Sequence, residues 1–220
     1  MRPNNDLDSL IKEFPALEPI YTDILADRYE KLDELSGRLD AVEPPERRMA
    51  VKRLVVLANF RRGDIAGSVT LCREVAENTG AGTDWFNLAR AALTAGDVPL
   101  AQDSFVQMEA AYEAGNYGEQ ISSVMLRFYF AQFLKERGEY GLAFGHVERM
   151  RAVYEELHIT DDTFVYMRGV PMLGHTMELA MSLFPHLAGQ VDPAKWLDAF
   201  AKKLDDEGRN YLAECRKEFD

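Results

Sequence analysis

The sequence is poor in several features that would narrow its chemistry at once. Only two cysteines, Cys72 and Cys215, occur in 220 residues, and they lie far apart. A disulfide framework is therefore not expected, and a reduced, cytoplasmic protein is the economical reading. Positive charge is scarce: 25 Lys and Arg against 37 Asp and Glu leave a formal net charge of −12. Nucleic acid demands a basic footprint, so it is excluded as a partner, and an anionic membrane surface is disfavoured on the same ground. No window of about 18 residues is free of charge, so no transmembrane helix is expected. The start, MRPNNDLDSL, has no apolar run behind a basic residue, and no signal peptide is expected.

Catalytic and cofactor motifs are equally thin. No alternating strand pattern occurs, so there is no strand for a Gly-rich phosphate loop to follow, and no nucleophile-elbow pattern is present. The four histidines are His146, His158, His175 and His186. A helical metal site wants two ligands at i, i+3 or i+4, usually twice. His175 with Glu178 has that spacing once, without a second pair. No cofactor, no metal and no enzymatic activity are expected.

What is present is a globular composition, 47% hydrophobic and 28% charged, with helical periodicity throughout. A short helix is expected at 6–14, closed by Pro15. A long one is expected at 18–42, where Tyr21, Leu25, Arg28, Leu32, Leu35, Leu39 and Val42 are spaced by four and three. That seam suits a helical hairpin within the fold, or alternatively a homodimer through 18–42. Pro44-Pro45 ends it.

Three helix pairs follow: 46–61 with 65–78, 84–95 with 98–113, and 119–137 with 140–157. Each pair is joined by Gly and an acid: Gly63-Asp64, Gly96-Asp97 and Gly138-Glu139. Gly takes the left-handed conformation that ends a helix, and the acid serves the next N-terminus. The longer spacing between the second and third turns is assigned to one extra helical turn on each side of Gly115-Asn116. A further helix starts at Thr160-Asp161-Asp162 and runs toward Phe184, with a break expected near Pro171. Asp192-Pro193 starts a last helix through Phe219, bent at Gly208 and amphipathic enough to cap the array.

In the central pair, Trp85, Leu88, Ala89, Ala101 and Phe105 fall at the signature positions of the tetratricopeptide repeat, which the stretch Thr83 to Tyr112 resembles. Ala92 stands where that repeat usually has Tyr, and Met108 where it usually has a small residue. Aligned on the glycines, the third pair offers Phe130, Ala131, Ala143, Val147 and Met150, and the first Val55, Val56, Ser68, Cys72 and Val75.

The resemblance implies an all-α, TPR-like α-solenoid of antiparallel pairs, about ten helices in one domain over 1–220. Residues 1–43 would be N-terminal helices, 46–157 the three pairs, and 160–220 a divergent cap. It also implies a concave face lined by first helices: Arg53, Leu57 and Phe60, then Phe86, Asn87, Arg90 and Thr94, then Met125, Phe128, Tyr129 and Gln132. The carboxylate clamp found in one branch of the family is not matched, because Leu57, Met125 and Tyr129 stand at its positions. The expected function is a non-enzymatic interaction module that takes a peptide or helix of a protein partner.

Two further features bear on that expectation. Cys72 replaces an aromatic core position and reads as an inert buried thiol. The basic cluster Arg47, Arg48, Lys52, Arg53, Arg61 and Arg62 reads as a helix face paired with neighbouring acids, or else as an anion-recognising end of the groove. The alternative function is a small-ligand sensor or enzyme, with a pocket between the kinked helix 161–184 and the third pair, or else a structural dimeric subunit built on the 18–42 seam. Its candidate residues are His175, Glu178, Arg168 and Tyr166.

Overall fold

The computed structural model describes residues 11–118 and 121–219. Among them the chain is all-helical, 79% helix, with no strand. It divides into two compact units, Met1–Gln120 and Ile121–Asp220.

The first unit contains α1 (Glu18–Leu25), α2 (Glu30–Ser36), α3 (Pro45–Arg62), α4 (Ile65–Thr79), α5 (Gly82–Ala95) and α6 (Val98–Glu113). The helix read at 6–14 lies largely outside the described residues; residues 11–13 are helical. The single helix expected at 18–42 is instead broken twice. After α1 the N–H groups of Ala26, Asp27 and Arg28 fold back onto carbonyls of residues 22–24, and Asp27 takes φ 56°. Arg28 and Lys31 then both reach the Asp23 carboxylate, at 2.7 Å each. The charged residue that interrupts the 4-3 pattern is thus the clasp of a turn. The apolar residues do not form a continuous seam either. Leu17, Tyr21, Ile24, Leu32 and Val42 gather with Ala50, Val51, Leu54 and Ala58 of α3 into one core, while Leu25 is 46% exposed.

The next two pairs follow the punctuation in the sequence. Gly63 and Gly96 have φ 79° and 83°, in the left-handed region where a Cβ is penalised. Asp64 accepts the Gly67 N–H at 2.9 Å and Asp97 the Leu100 N–H at 3.0 Å, so both cap their helices. Leu88, Ala89 and Ala92 of α5 and Ala101, Phe105 and Met108 of α6 are all buried, and Leu88 clusters with Cys72 and Ala76 of α4. The chain after α6 returns to the start of α5. The Gly82 N–H donates to the Asn116 carbonyl at 2.9 Å and the Thr83 N–H to the Tyr117 carbonyl at 3.0 Å.

The second unit contains α7 (Ser123–Glu136), α8 (Tyr140–Leu157), α9 (Asp162–Met167), α10 (Leu173–Leu183), α11 (Pro193–Ala201) and α12 (Asp206–Arg216). Helix α7 starts four residues later than expected, where the Ser122 hydroxyl accepts the Met125 N–H at 3.0 Å. Helix α6 has the bounds expected of it, so of the two extra turns only the one placed at the start of α7 is missing from its helix. Gly138 has φ 81°, but Glu139 makes no side-chain cap bond. The expected break near Pro171 is present between α9 and α10. It is held by the buried Tyr154 hydroxyl, which donates to the Pro171 carbonyl and meets Thr176 Oγ1 at 3.0 Å.

The last expected helix is two helices, not one bent at Gly208. Asp205 ends the intervening turn, accepting the Gly208 N–H and the Thr160 N–H, both at 2.9 Å, and the Thr160 hydroxyl at 2.6 Å. Gly208 sits in the first turn of α12 against Thr160, where a Cβ would come within 2.8 Å of Cγ2. Its missing side chain serves a close approach between segments. Helix α11 packs Trp196 and Phe200 among Phe144, Phe184 and Tyr154, and the Trp196 N–H donates to Glu148.

Candidate partner-binding faces and an acidic cleft

The second-helix repeat positions are buried in all three pairs, whereas the signature residue Trp85 is half-buried. Ala101, Phe105 and Met108 of α6, Ala143, Val147 and Met150 of α8, and Ser68, Cys72 and Val75 of α4 are all in the core. Cys72 is buried, as expected of it, and is not in a disulfide. On the first helices, Leu88 and Ala89, like Phe130 and Ala131, are buried, whereas Val55 and Val56 are half-buried.

The residues expected to line a groove have diverse surroundings. Arg53 is engaged within the first unit: Nε and Nη2 donate to the two oxygens of Asp84 at 2.9 and 2.6 Å, and Asp84 also accepts the Thr79 hydroxyl at 2.7 Å. Leu57 packs against the N-terminal core, and Phe60 against the cluster around Cys72. Phe86 is buried. Asn87 and Arg90 are half-buried and Thr94 is exposed, with the Arg90 guanidinium 6.0 Å over the Phe60 ring.

In the second unit Phe128 is buried, with its ring 5.9 Å from Tyr129 and 6.5 Å from His175 of α10. Met125, Tyr129 and Gln132 are half-buried. Gln132 Oε1 is shielded from solvent without a hydrogen-bond partner among the described residues. Of the whole set Thr94 is exposed, Asn87, Arg90, Met125, Tyr129 and Gln132 are half-buried like Arg53, Leu57 and Phe60, and Phe86 and Phe128 are buried.

Five of the six residues of the basic cluster, all but Arg47, form ion pairs with acids of other segments, Arg53 with Asp84 among them. Arg48 meets Glu43 at 3.0 Å, Arg61 meets Asp27 at 2.9 Å and Arg62 meets Asp33 at 2.6 Å, while buried Lys52 pairs with Glu74 of α4. The Tyr29 hydroxyl, and after it the Arg61 guanidinium, hold Asp27 below the ordinary carboxylate range.

Two polar arrangements were not visible as units in the sequence. The first joins α7 and α8: Arg127 Nη1 lies 3.2 Å from His146 Nδ1, with the Phe130 ring edge-on to the imidazole at 5.1 Å. Burial, reinforced by the charges of Arg127 and Arg149, pushes the His146 pKa down to about 3, so the ring is neutral at pH 7. The second is a cleft of about 270 Å³ beside the broken segment, lined by Asp162 of α9, Met172, His175 and Glu178 at α10, and Glu207 and Tyr211 of α12. His175 and Glu178 were singled out for such a pocket, but it opens toward α12. Tyr166 and Arg168 do not line it, and Tyr166 is 68% exposed. No group of three or more His, Cys, Asp or Glu able to hold a metal ion occurs among the described residues. Nor is any described helix long and apolar enough to cross a membrane.

Comparison with protein-family models, curated proteins and solved structures finds no match to the chain.

Proposed function

We propose that this chain is a non-enzymatic protein-interaction module built from tetratricopeptide-like helix pairs. In this reading a peptide or helix of a protein partner lies on the accessible faces of the first helices. The observation that carries the reading is the regularity of the three pairs. Equivalent second-helix positions are buried in each, while the first helices α5 and α7 keep amide, guanidinium and phenol groups within reach of solvent. Such a face combines hydrogen-bonding groups that orient a backbone with an aromatic anchor, the combination peptide recognition uses. The Gln132 carbonyl, shielded and without a donor among the described residues, suits a donor brought by a ligand. Two cysteines outside any disulfide suit a reducing, cytoplasmic setting.

The test is partner capture from native lysate with Arg90→Glu and Tyr129→Ala. Both changes are expected to abolish capture while helicity and melting temperature stay near wild type. Capture that survives both substitutions overturns the assignment of the first-helix faces.

A further inference from the structure

We infer that residues 161–168, with α9 at their centre, form a strap that opens as a unit between two fixed clasps while α8 and α10 stay closed. The strap lies within the second unit alone and owes nothing to the first-helix faces. A helix of six residues does not hold itself in water, because so few hydrogen bonds never recover the cost of its first turn. Helix α9 therefore depends on what its side chains bury. Asp162, Thr163, Tyr166 and Met167 are exposed, Phe164 is half-buried and Val165 is buried. Tyr166 and Met167, the two large apolar residues of the outer face, are 68% and 80% exposed and add nothing to its hold. The Arg168 guanidinium over the Phe164 ring, at 5.2 Å, and the Asp161 cap on the Phe164 N–H, at 2.8 Å, both tie the strap to itself. By contrast α8 buries Ala143, Val147, Met150 and Tyr154, and α10 buries Met177, Leu179, Ala180 and Leu183 among others.

The two ends of the strap are held quite differently. Thr160 is buried and gives both its N–H and its hydroxyl to Asp205. At the other end Val170 and Pro171 are buried, the Tyr154 hydroxyl donates to the Pro171 carbonyl, and the Ser122 hydroxyl donates to the Gly169 carbonyl. Gly169 has φ 68° and lies so near Ser122 that a Cβ would come within 2.8 Å of the serine Cβ. Leaving buried polar groups unpaired is costly, so opening stops at these clasps. With both ends fixed, the freed segment is a short loop whose closure costs little entropy, and reclosing requires chiefly that Val165 return to its place. Small units with few buried apolar contacts are the ones that open locally. Asp162 is the strap's own contribution to the cleft wall, facing the wall made by Met172, His175 and Glu178. Opening draws that side away and widens the cleft, so the strap is its movable wall.

Residue-resolved hydrogen exchange of the full chain, repeated across sub-denaturing urea, tests this. The amides of residues 164–168 should exchange at least tenfold faster than those of Val147–Tyr154 and Leu179–Leu183. Their rates should also depend only weakly on urea, since the opening exposes little surface. Two substitutions separate local from global opening. Val165 is uncovered in both, so Val165→Ala should speed all three sets of amides alike. Val147 stays buried when the strap alone opens, so Val147→Ala should speed the α8 and α10 amides and leave those of the strap unchanged. Should either variant fail to fold, the wild-type rates and their urea slopes decide. Strap amides that share the rate and urea slope of α8 and α10, or that follow them in Val147→Ala, overturn the inference. So does fast exchange that runs on past Pro171 through Thr176 and Met177, because the clasp there would not hold.

Discussion

Asp84 is 3% exposed and carries a full charge, so its environment has to answer for it. It does so with two guanidinium bonds from Arg53 and a hydroxyl bond from Thr79. Removing the cation leaves a buried carboxylate with one neutral donor. Arg53→Met should therefore destabilise the first unit by about 3 kcal/mol, below the upper range for a fully buried pair because Arg53 is 31% exposed. Adding Asp84→Asn should recover part of that loss, and urea denaturation of the single and double variants measures both.

His146 makes a different demand. Its folded-state pKa of about 3 lies below the usual 6.5, so between those values the unfolded chain binds a proton that the folded one does not. The contribution to stability is complete above pH 6.5 and is lost as pH falls toward 3. His146→Gln should flatten the melting-temperature profile in that window and leave the profile above pH 7 parallel to wild type.

Among the elements, the three Gly-acid turns look equivalent in sequence but not in structure. Asp64 and Asp97 cap their helices and Glu139 does not. Asp97→Ala should cost about 1 kcal/mol, whereas Glu139→Ala should be nearly neutral, as thermal denaturation of the pair of variants will register. The helices flanking these turns were legible because glycine and a cap residue act locally. The break after α1 was not, because Ala26-Asp27-Arg28 contains no breaker. That turn depends on Asp23 collecting Arg28 and Lys31, and on Arg61 reaching Asp27 from another helix. The division of the last helix into α11 and α12 has the same origin, since Asp205 becomes a cap by also accepting from Thr160, 45 residues earlier. For the candidate faces, spacing identified which residues lie on first helices. It could not show that Arg53 would be taken by Asp84 or that Phe128 would pack near His175, because those partners lie 31 and 47 positions away. The cleft was half legible: His175 and Glu178 share a helix and stood out by spacing, whereas Asp162, Glu207 and Tyr211 join them only through the fold.

At the scale of the whole molecule, each unit contains apolar clusters of its own. The first has cores around Leu54 and around Cys72, and the second an aromatic cluster around Trp196. Segments of this length with their own cores are of the size that folds independently. Residues 1–120 and 121–220 expressed separately should each give a helical circular-dichroism spectrum and a cooperative melt; a fragment that stays unfolded would refute this. The chain's net charge of −12 adds self-repulsion, which salt screens over about 10 Å at 0.1 M.

The return of residues 116 and 117 to the start of α5 has a consequence in time. The Gly82 and Thr83 amides are the ones a helix end would ordinarily leave to water, yet here they are tied to the far end of the following helix. Tyr112 lies over Gly82, where a Cβ would come within 2.4 Å of its ring, so fraying at that end requires the ring and both bonds to leave together. The hairpin of α5 and α6 is thus a ring fastened at its open side. Its amides should be the last in the first unit to exchange with heavy water, and the rest of that unit opens and closes around it.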